Sequence, residues 1–234
     1  MLTHSDFWGE QLDDALKAKL MSKGYKLHNH YGPTETTIEV IAGECDKQTP
    51  VALGKPISNT LVYILNKYRQ LQPVGVAGEL FISGEGLARG YLNRAELTAE
   101  KFVANPFILG TRMYKTGDFA RWLPDGTIEY LGRIDNQVKI RGHRIETGEI
   151  VSQLLRNPEV KKAAVAVQEI QEGQKELSAY VILEDGLTVA DVRSTLAKHL
   201  PGYMMPSYFV RLDEIPLTSN GKINYKKLQE MAPS

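Results

Sequence analysis

Cysteine is almost absent from this chain of 234 residues. Cys45 stands alone, so no internal disulfide framework is possible, and a reducing, cytoplasmic setting is expected. No apolar run approaches the roughly 20 residues of a membrane span, and the amino end lacks a signal-peptide pattern, so no membrane association is expected. A dominant charge is missing too. The 28 Lys and Arg residues balance 28 Asp and Glu, leaving no global field to draw nucleic acid. Five His residues show no paired ligand spacing and, beside one Cys, support no zinc site. There is no Gly-x-Ser-x-Gly elbow. The glycine-rich run from Gly84 to Gly90 lacks the G-x-G-x-x-G spacing and has no strand–helix crossover around it, which excludes a dinucleotide fingerprint. Repeats and low-complexity segments are lacking as well.

What is present is ordinary globular material, 42% hydrophobic and 24% charged, with enough chain to bury a substantial core. Leu12, Ala15, Leu16, Lys19 and Leu20 recur at helical spacing and predict a helix from Gln11 to Lys23, stopped by Gly24. A short strand from Tyr25 to His28 is expected next, then a loop from Asn29 to Glu35 stiffened by Pro33. Between Val51 and Arg133, short apolar runs alternate with Gly and Pro breaks. Val62–Leu65, Gly78–Ile82 and Ile128–Leu131 read as strands, and Pro124-Asp125-Gly126-Thr127 as a hairpin turn. A small distorted β-barrel follows, interrupted by a helix that Thr98 caps. After Asp135 the pattern changes. Strands at Gln137–Ile140, Ala163–Glu169, Leu177–Leu183 and Phe209–Leu212 mix with helices at Glu146–Leu155 and Val189–Leu200, which points to a compact α+β unit. The expected division is 1–134 and 135–234.

Three polar clusters carry chemistry. Tyr31-Gly32-Pro33-Thr34-Glu35 joins an aromatic face to a carboxylate, Tyr114-Lys115-Thr116-Gly117-Asp118 ends on a second carboxylate, and Asn220-Gly221-Lys222 presents a cation on a turn. Such residues suit base stacking, magnesium or ribose contacts, and phosphate neutralisation. Taken singly, each also reads as scaffolding. The first is equally a packed turn with a dipole-facing Glu35, Asp118 a turn cap, Arg133 a surface ion pair and Lys222 a solvated turn residue.

In this order, and with Gly78–Tyr91, Leu97–Phe102, Gly132–Gly142 and Pro216–Lys222 between and after them, the clusters resemble the adenylation domains of nonribosomal peptide synthetases, members of the adenylate-forming enzyme superfamily. The resemblance covers nearly the whole chain but only the C-terminal half of such a domain. It implies an α/β core end with the small barrel, then a mobile α+β subdomain. It further implies that an amino acid and ATP give aminoacyl-AMP and pyrophosphate, and that the acyl group then passes to the phosphopantetheine thiol of a peptidyl carrier protein. Matched residue by residue, Tyr31 would stack on adenine and Asn29 would bind its amine. Thr34 would touch the α-phosphate, Glu35 would ligate Mg2+, and Asp118 and Arg133 would hold the ribose. Lys222 would bridge the substrate carboxylate and the α-phosphate, and Asp135 would be the hinge. His30 and Glu39 would face the substrate side chain. Lys139 and the Arg141–Arg144 stretch would approach the thiol channel in the second orientation, although a charged strand edge explains them equally well.

The family's phosphate loop and the Asp that pairs the substrate ammonium have no counterpart here. The missing N-terminal half is therefore an implied partner, and the chain alone is expected to be inactive. Apolar area from Leu12 to Tyr25 is expected to lie exposed without that half. Two other readings stand beside this one, a non-catalytic adenylation-like packing module and a fragment of a related acyl- or aryl-CoA ligase.

Overall fold

The computed structural model describes residues 4–7, 12–134, 137–171 and 174–231. The chain divides into two compact units, Met1–Asp135 and Asn136–Ser234.

In the first unit, β1 (His4–Phe7) and β2 (Lys26–Tyr31) pair in parallel through the helical crossover α1 (Asp14–Ser22). Asp13 caps α1 by accepting from Leu16 N–H at 2.6 Å. Two further strands, β3 (Ile41–Glu44) and β4 (Lys55–Pro56), complete this sheet in the order β1-β2-β3-β4. β2 runs three residues past the expected His28, so Asn29, His30 and Tyr31 lie on a strand rather than in a loop. Leu27, Asn29 and Tyr31 point inward at period two, and the polar Asn29 at an inward position hides that alternation in the sequence. Leu12 is buried, Leu16, Leu20, Met21 and Tyr25 are half-buried, and Ala15 and Ala18 are exposed. The large exposed apolar side chains lie elsewhere, among them Ile38, Leu92 and Leu109.

The second sheet of this unit holds β5 (Thr60–Leu65), β6 (Gly78–Gly84), β7 (Phe102–Ala104), β8 (Arg112–Trp122) and β9 (Ile128–Arg133). Its order is β5-β6-β8-β7, with β9 also on β8. Register shifts at Glu79/Phe81 and Phe119/Ala120 curl it into a half-barrel. β6 is buried on both faces. Leu80 and Ile82 pack with Ile41, Ile64 and Ile128, while Phe81 turns the other way onto Leu65, Val103 and Met113. Each such side chain contributes about 1.5–3 kcal/mol of burial. The β8–β9 turn forms as the sequence predicts, with Asp125 accepting from Thr127 N–H at 2.9 Å. The intervening helix α2 (Ala95–Lys101) begins before Thr98, so Thr98 does not cap it. Its hydroxyl instead accepts from Tyr91 N–H at 2.9 Å.

The second unit opens with a hairpin of β10 (Gln137–Ile140) and β11 (His143–Glu146), followed by α3 (Thr147–Leu154). Its main sheet pairs β12 (Val160–Gln171) with β13 (Gln174–Leu183), and β13 in parallel with β14 (Tyr208–Arg211) across the crossover helix α4 (Val189–Leu196). Alternation decides the layers. Val165, Ala179 and Val181 face α3 and α4 through Ile150, Leu154 and Val192, whereas Ala164, Ala166 and Tyr180 face Leu228 of α5 (Tyr225–Glu230).

Helix α5 is tied down by a buried polar relay. Ser178 Oγ donates to Gln168 Oε1 at 2.7 Å, Gln168 donates to the Tyr180 hydroxyl, and that hydroxyl donates to the Leu228 carbonyl at 2.6 Å. Tyr180→Phe takes the acceptor from the buried Gln168 amide and one of two donors from the Leu228 carbonyl, which keeps Met231 N–H at 3.1 Å, and is expected to cost about 1–3 kcal/mol. Amide hydrogen exchange should then accelerate first in Tyr225–Glu230. Unchanged protection of that helix would contradict the clamping role.

Candidate functional site

Tyr31, Asp118 and Arg133 come from three separate segments and meet in the first unit. The Tyr31 hydroxyl donates to Asp118 Oδ2, and Arg133 Nη1 donates to Asp118 Oδ1 at 2.8 Å. Arg133 Nη2 also donates to the Thr116 carbonyl at 3.0 Å, and Asp118 N–H donates to Thr116 Oγ1 at 2.9 Å. The meeting follows from register, since Asp118 on β8 lies opposite Arg133 on β9. The pair is nearly dry, with side-chain exposures of 10% and 13%, so charge–charge attraction there is strong and removal of either partner is costly. Burial, then the neighbouring Asp118 charge, pushes the Tyr31 phenol well above its ordinary range and keeps it a neutral donor. A carboxylate offers about four acceptor positions, a capacity suited to a pair of vicinal hydroxyls.

Asn29 is buried one strand position before His30, and its amide donates to the Ala52 carbonyl at 2.8 Å. One of its two amide N–H donors is thus used, and its oxygen is an acceptor suited to an amine. His30 sits between carboxylates: Nδ1 lies 2.7 Å from Glu39 and Nε2 lies 3.3 Å from Asp6. The two residues expected at a substrate side chain are thus joined directly to each other.

The turn after β2 is held by backbone contact. A Cβ at Gly32 would stand 2.2 Å from the Ile38 carbonyl oxygen, which leaves room for glycine alone. Thr34 is exposed at the start of the 3₁₀ turn Thr34–Thr36, while Glu35 and Thr36 turn inward. Glu35 Oε1 accepts from the Tyr91 hydroxyl at 2.6 Å. Burial, then that bond, raises the Tyr91 phenol above its ordinary range. No cluster of three or more His, Cys, Asp or Glu side chains suited to a metal occurs among the described residues. A single carboxylate is nonetheless the donor set that Mg2+ accepts when waters and phosphate oxygens supply the rest.

Lys222 lies in the second unit, exposed on a hairpin turn closed by the Leu217–Ile223 bridge. Thr218 N–H donates to its carbonyl at 2.7 Å and Lys222 N–H to Thr218 Oγ1 at 3.3 Å, so the backbone is fixed while the side chain reaches outward. Asp135 lies outside the described residues. Tyr91 closes the Gly78–Tyr91 run, and the sequence gives it no site role. Nothing local signals a bond to a residue 56 positions away.

Residues 2–92 match the family described as AMP-binding enzyme, and residues 149–222 match the AMP-binding enzyme C-terminal domain. Bacitracin synthase 3 of Bacillus licheniformis is 52% identical over 229 residues, which cover 95% of this chain and 4% of that protein. Gramicidin S synthase 2 of Aneurinibacillus migulanus is 52% identical over 95% of this chain and 5% of its own length. Among solved structures, the Vibrio cholerae adenylation domain AlmE, in complex with glycyl-adenosine-5'-phosphate, superimposes with a TM-score of 0.88 at 26% identity, over 98% of this chain and 44% of that one. Holo-PA1221, a nonribosomal peptide synthetase protein containing adenylation and carrier domains bound to a vinylsulfonamide inhibitor, gives a TM-score of 0.83 at 29% identity, over 97% and 40%. The chain therefore spans less than half of these structural relatives and a small fraction of the curated ones.

Proposed function

Because the chain belongs to the AMP-binding enzyme family and resembles the C-terminal half of its nonribosomal peptide synthetase adenylation domains, we propose that it supplies the nucleoside-holding wall and the mobile C-terminal subdomain of an amino-acid-activating domain. The assembled domain converts an amino acid and ATP to aminoacyl-AMP and pyrophosphate. It then loads the acyl group on the phosphopantetheine thiol of a peptidyl carrier protein. The observation that carries this reading is the Tyr31–Asp118–Arg133 cluster, three residues of separate motifs gathered around one carboxylate.

Both reactants are anions, so the reaction asks for positive charge and fixed geometry more than for acid–base help. Asp118, oriented by Tyr31 and Arg133, accepts the ribose hydroxyls. Tyr31 stacks on the base and Asn29 accepts from its exocyclic amine. Thr34 donates its exposed hydroxyl to the α-phosphate. Glu35 holds the hydrated Mg2+, which when bound neutralises phosphate oxygens. Lys222 neutralises charge where the carboxylate oxygen approaches the α-phosphorus. His30 and Glu39, joined at 2.7 Å, line the amino-acid side chain. The division of the chain at Asp135 into two compact units supports a hinge there, where a few residues absorb the backbone change between the two half-reactions.

The test is amino-acid-dependent exchange of pyrophosphate with ATP. The chain by itself should give none, and exchange should appear when the N-terminal half of the domain is supplied. Exchange by the chain alone, above a Lys222→Ala control, overturns the half-domain reading.

A further inference from the structure

The glycine-rich segment ahead of α2 grips the turn that carries Glu35 at three points. Thr37 Oγ1 donates to the Gly86 carbonyl at 2.6 Å, Ala88 N–H donates to the Glu35 carbonyl at 2.8 Å, and the Tyr91 hydroxyl donates to Glu35 Oε1 at 2.6 Å. The first two contacts hold backbone; only the third reaches the carboxylate. Tyr91 is itself held at its backbone and its ring. Its N–H meets Thr98 Oγ1 at 2.9 Å, and its ring stands edge-on to Phe102 with centroids 5.5 Å apart. Gly90 makes the approach possible: its φ is +144°, and a Cβ there would lie 2.4 Å from Thr98 Cγ2.

We propose that Tyr91 is a positioning residue for Glu35, its hydroxyl holding one carboxylate oxygen so that Glu35 meets a magnesium–nucleotide complex in a single orientation. This rests on the metal-holding role given to Glu35 above. A glutamate carboxylate on three rotatable side-chain bonds loses entropy when it meets a metal, and a preset hydrogen bond removes part of that loss. The glycine-rich segment thereby acts as more than a turn, because it carries the strut that aims the metal-binding group.

The experiment compares wild type, Tyr91→Phe and Glu35→Gln in the domain assembled from this chain and its N-terminal half. Binding of Mn2+ in the presence of ATP is followed by electron paramagnetic resonance, alongside pyrophosphate exchange across a Mg2+ titration. Tyr91→Phe keeps the ring against Phe102 and removes only the hydroxyl. It should weaken metal binding about 10-fold, the lower end of the range for groups that orient a metal ligand. Maximal exchange at saturating Mg2+ should recover, and metal-free ATP binding should be unchanged. If Glu35→Gln weakens metal binding and Tyr91→Phe does not, the positioning role is wrong while the role of Glu35 stands. If neither variant changes it, the metal-holding role of Glu35 fails and this inference with it. If Tyr91→Phe lowers the melting temperature and weakens metal-free ATP binding equally, Tyr91 is only a structural residue and the proposal is overturned.

Discussion

Lys222→Ala in the assembled domain should lower the rate of adenylate formation by about 10²–10³, the loss typical of one well-placed charge stabiliser. ATP binding should change far less, because the positive charge is needed where negative charge accumulates as the new bond forms, not in the ground state. Exposure of the side chain on a closed hairpin means that its removal strands no buried partner, so the small unit should stay folded. Single-turnover measurement of aminoacyl-AMP separates the two effects. Preformed aminoacyl-AMP should restore thiol loading if, as proposed, loading uses another orientation of the C-terminal subdomain. Intact adenylation in the Ala variant, or an unfolded second unit, would show that Lys222 has no catalytic role.

Arg133→Met should destabilise the first unit by about 3–5 kcal/mol, because it leaves the Asp118 carboxylate buried without its cation. Against a typical total of about 5–15 kcal/mol, that is a large share. Trp122 packs against the core of this unit, so urea unfolding followed by tryptophan fluorescence reports it. Adding Asp118→Asn to Arg133→Met removes the orphaned charge and should recover part of the loss, the signature of direct coupling. Additive losses in the double variant would mean that the pair contributes nothing as a pair. The same Asp118→Asn change should weaken nucleotide binding even where stability recovers, because a neutral amide offers fewer acceptors to the ribose.

The residues of the site were readable one by one, but their meeting was not. Tyr31 and Asp118 stand 87 positions apart, and no local pattern brings a phenol to a carboxylate across that distance. Arg133 reaches Asp118 through the β8–β9 register, which the Asp125-Gly126 turn makes partly predictable. Two misreadings share a cause, tertiary context overriding local preference. Asn29 put a polar residue at an inward strand position, so β2 read as ending early. Thr98 read as a cap, yet its hydroxyl is spent on Tyr91 inside α2. Helix α5 leaves no signal in the sequence. Its six residues are too few for periodicity to register, and it stands through Leu228 packing and the Tyr180 bond.

The most direct measurement of the central claim is ATP–pyrophosphate exchange by the assembled domain across all proteinogenic amino acids, with acyl and aryl acids in parallel. The account predicts exchange with one or a few amino acids, none with acyl or aryl acids, and its loss in Asp118→Ala and Lys222→Ala. Exchange driven by an acyl or aryl acid and by no amino acid, or no exchange from a folded, nucleotide-competent assembly, would contradict it.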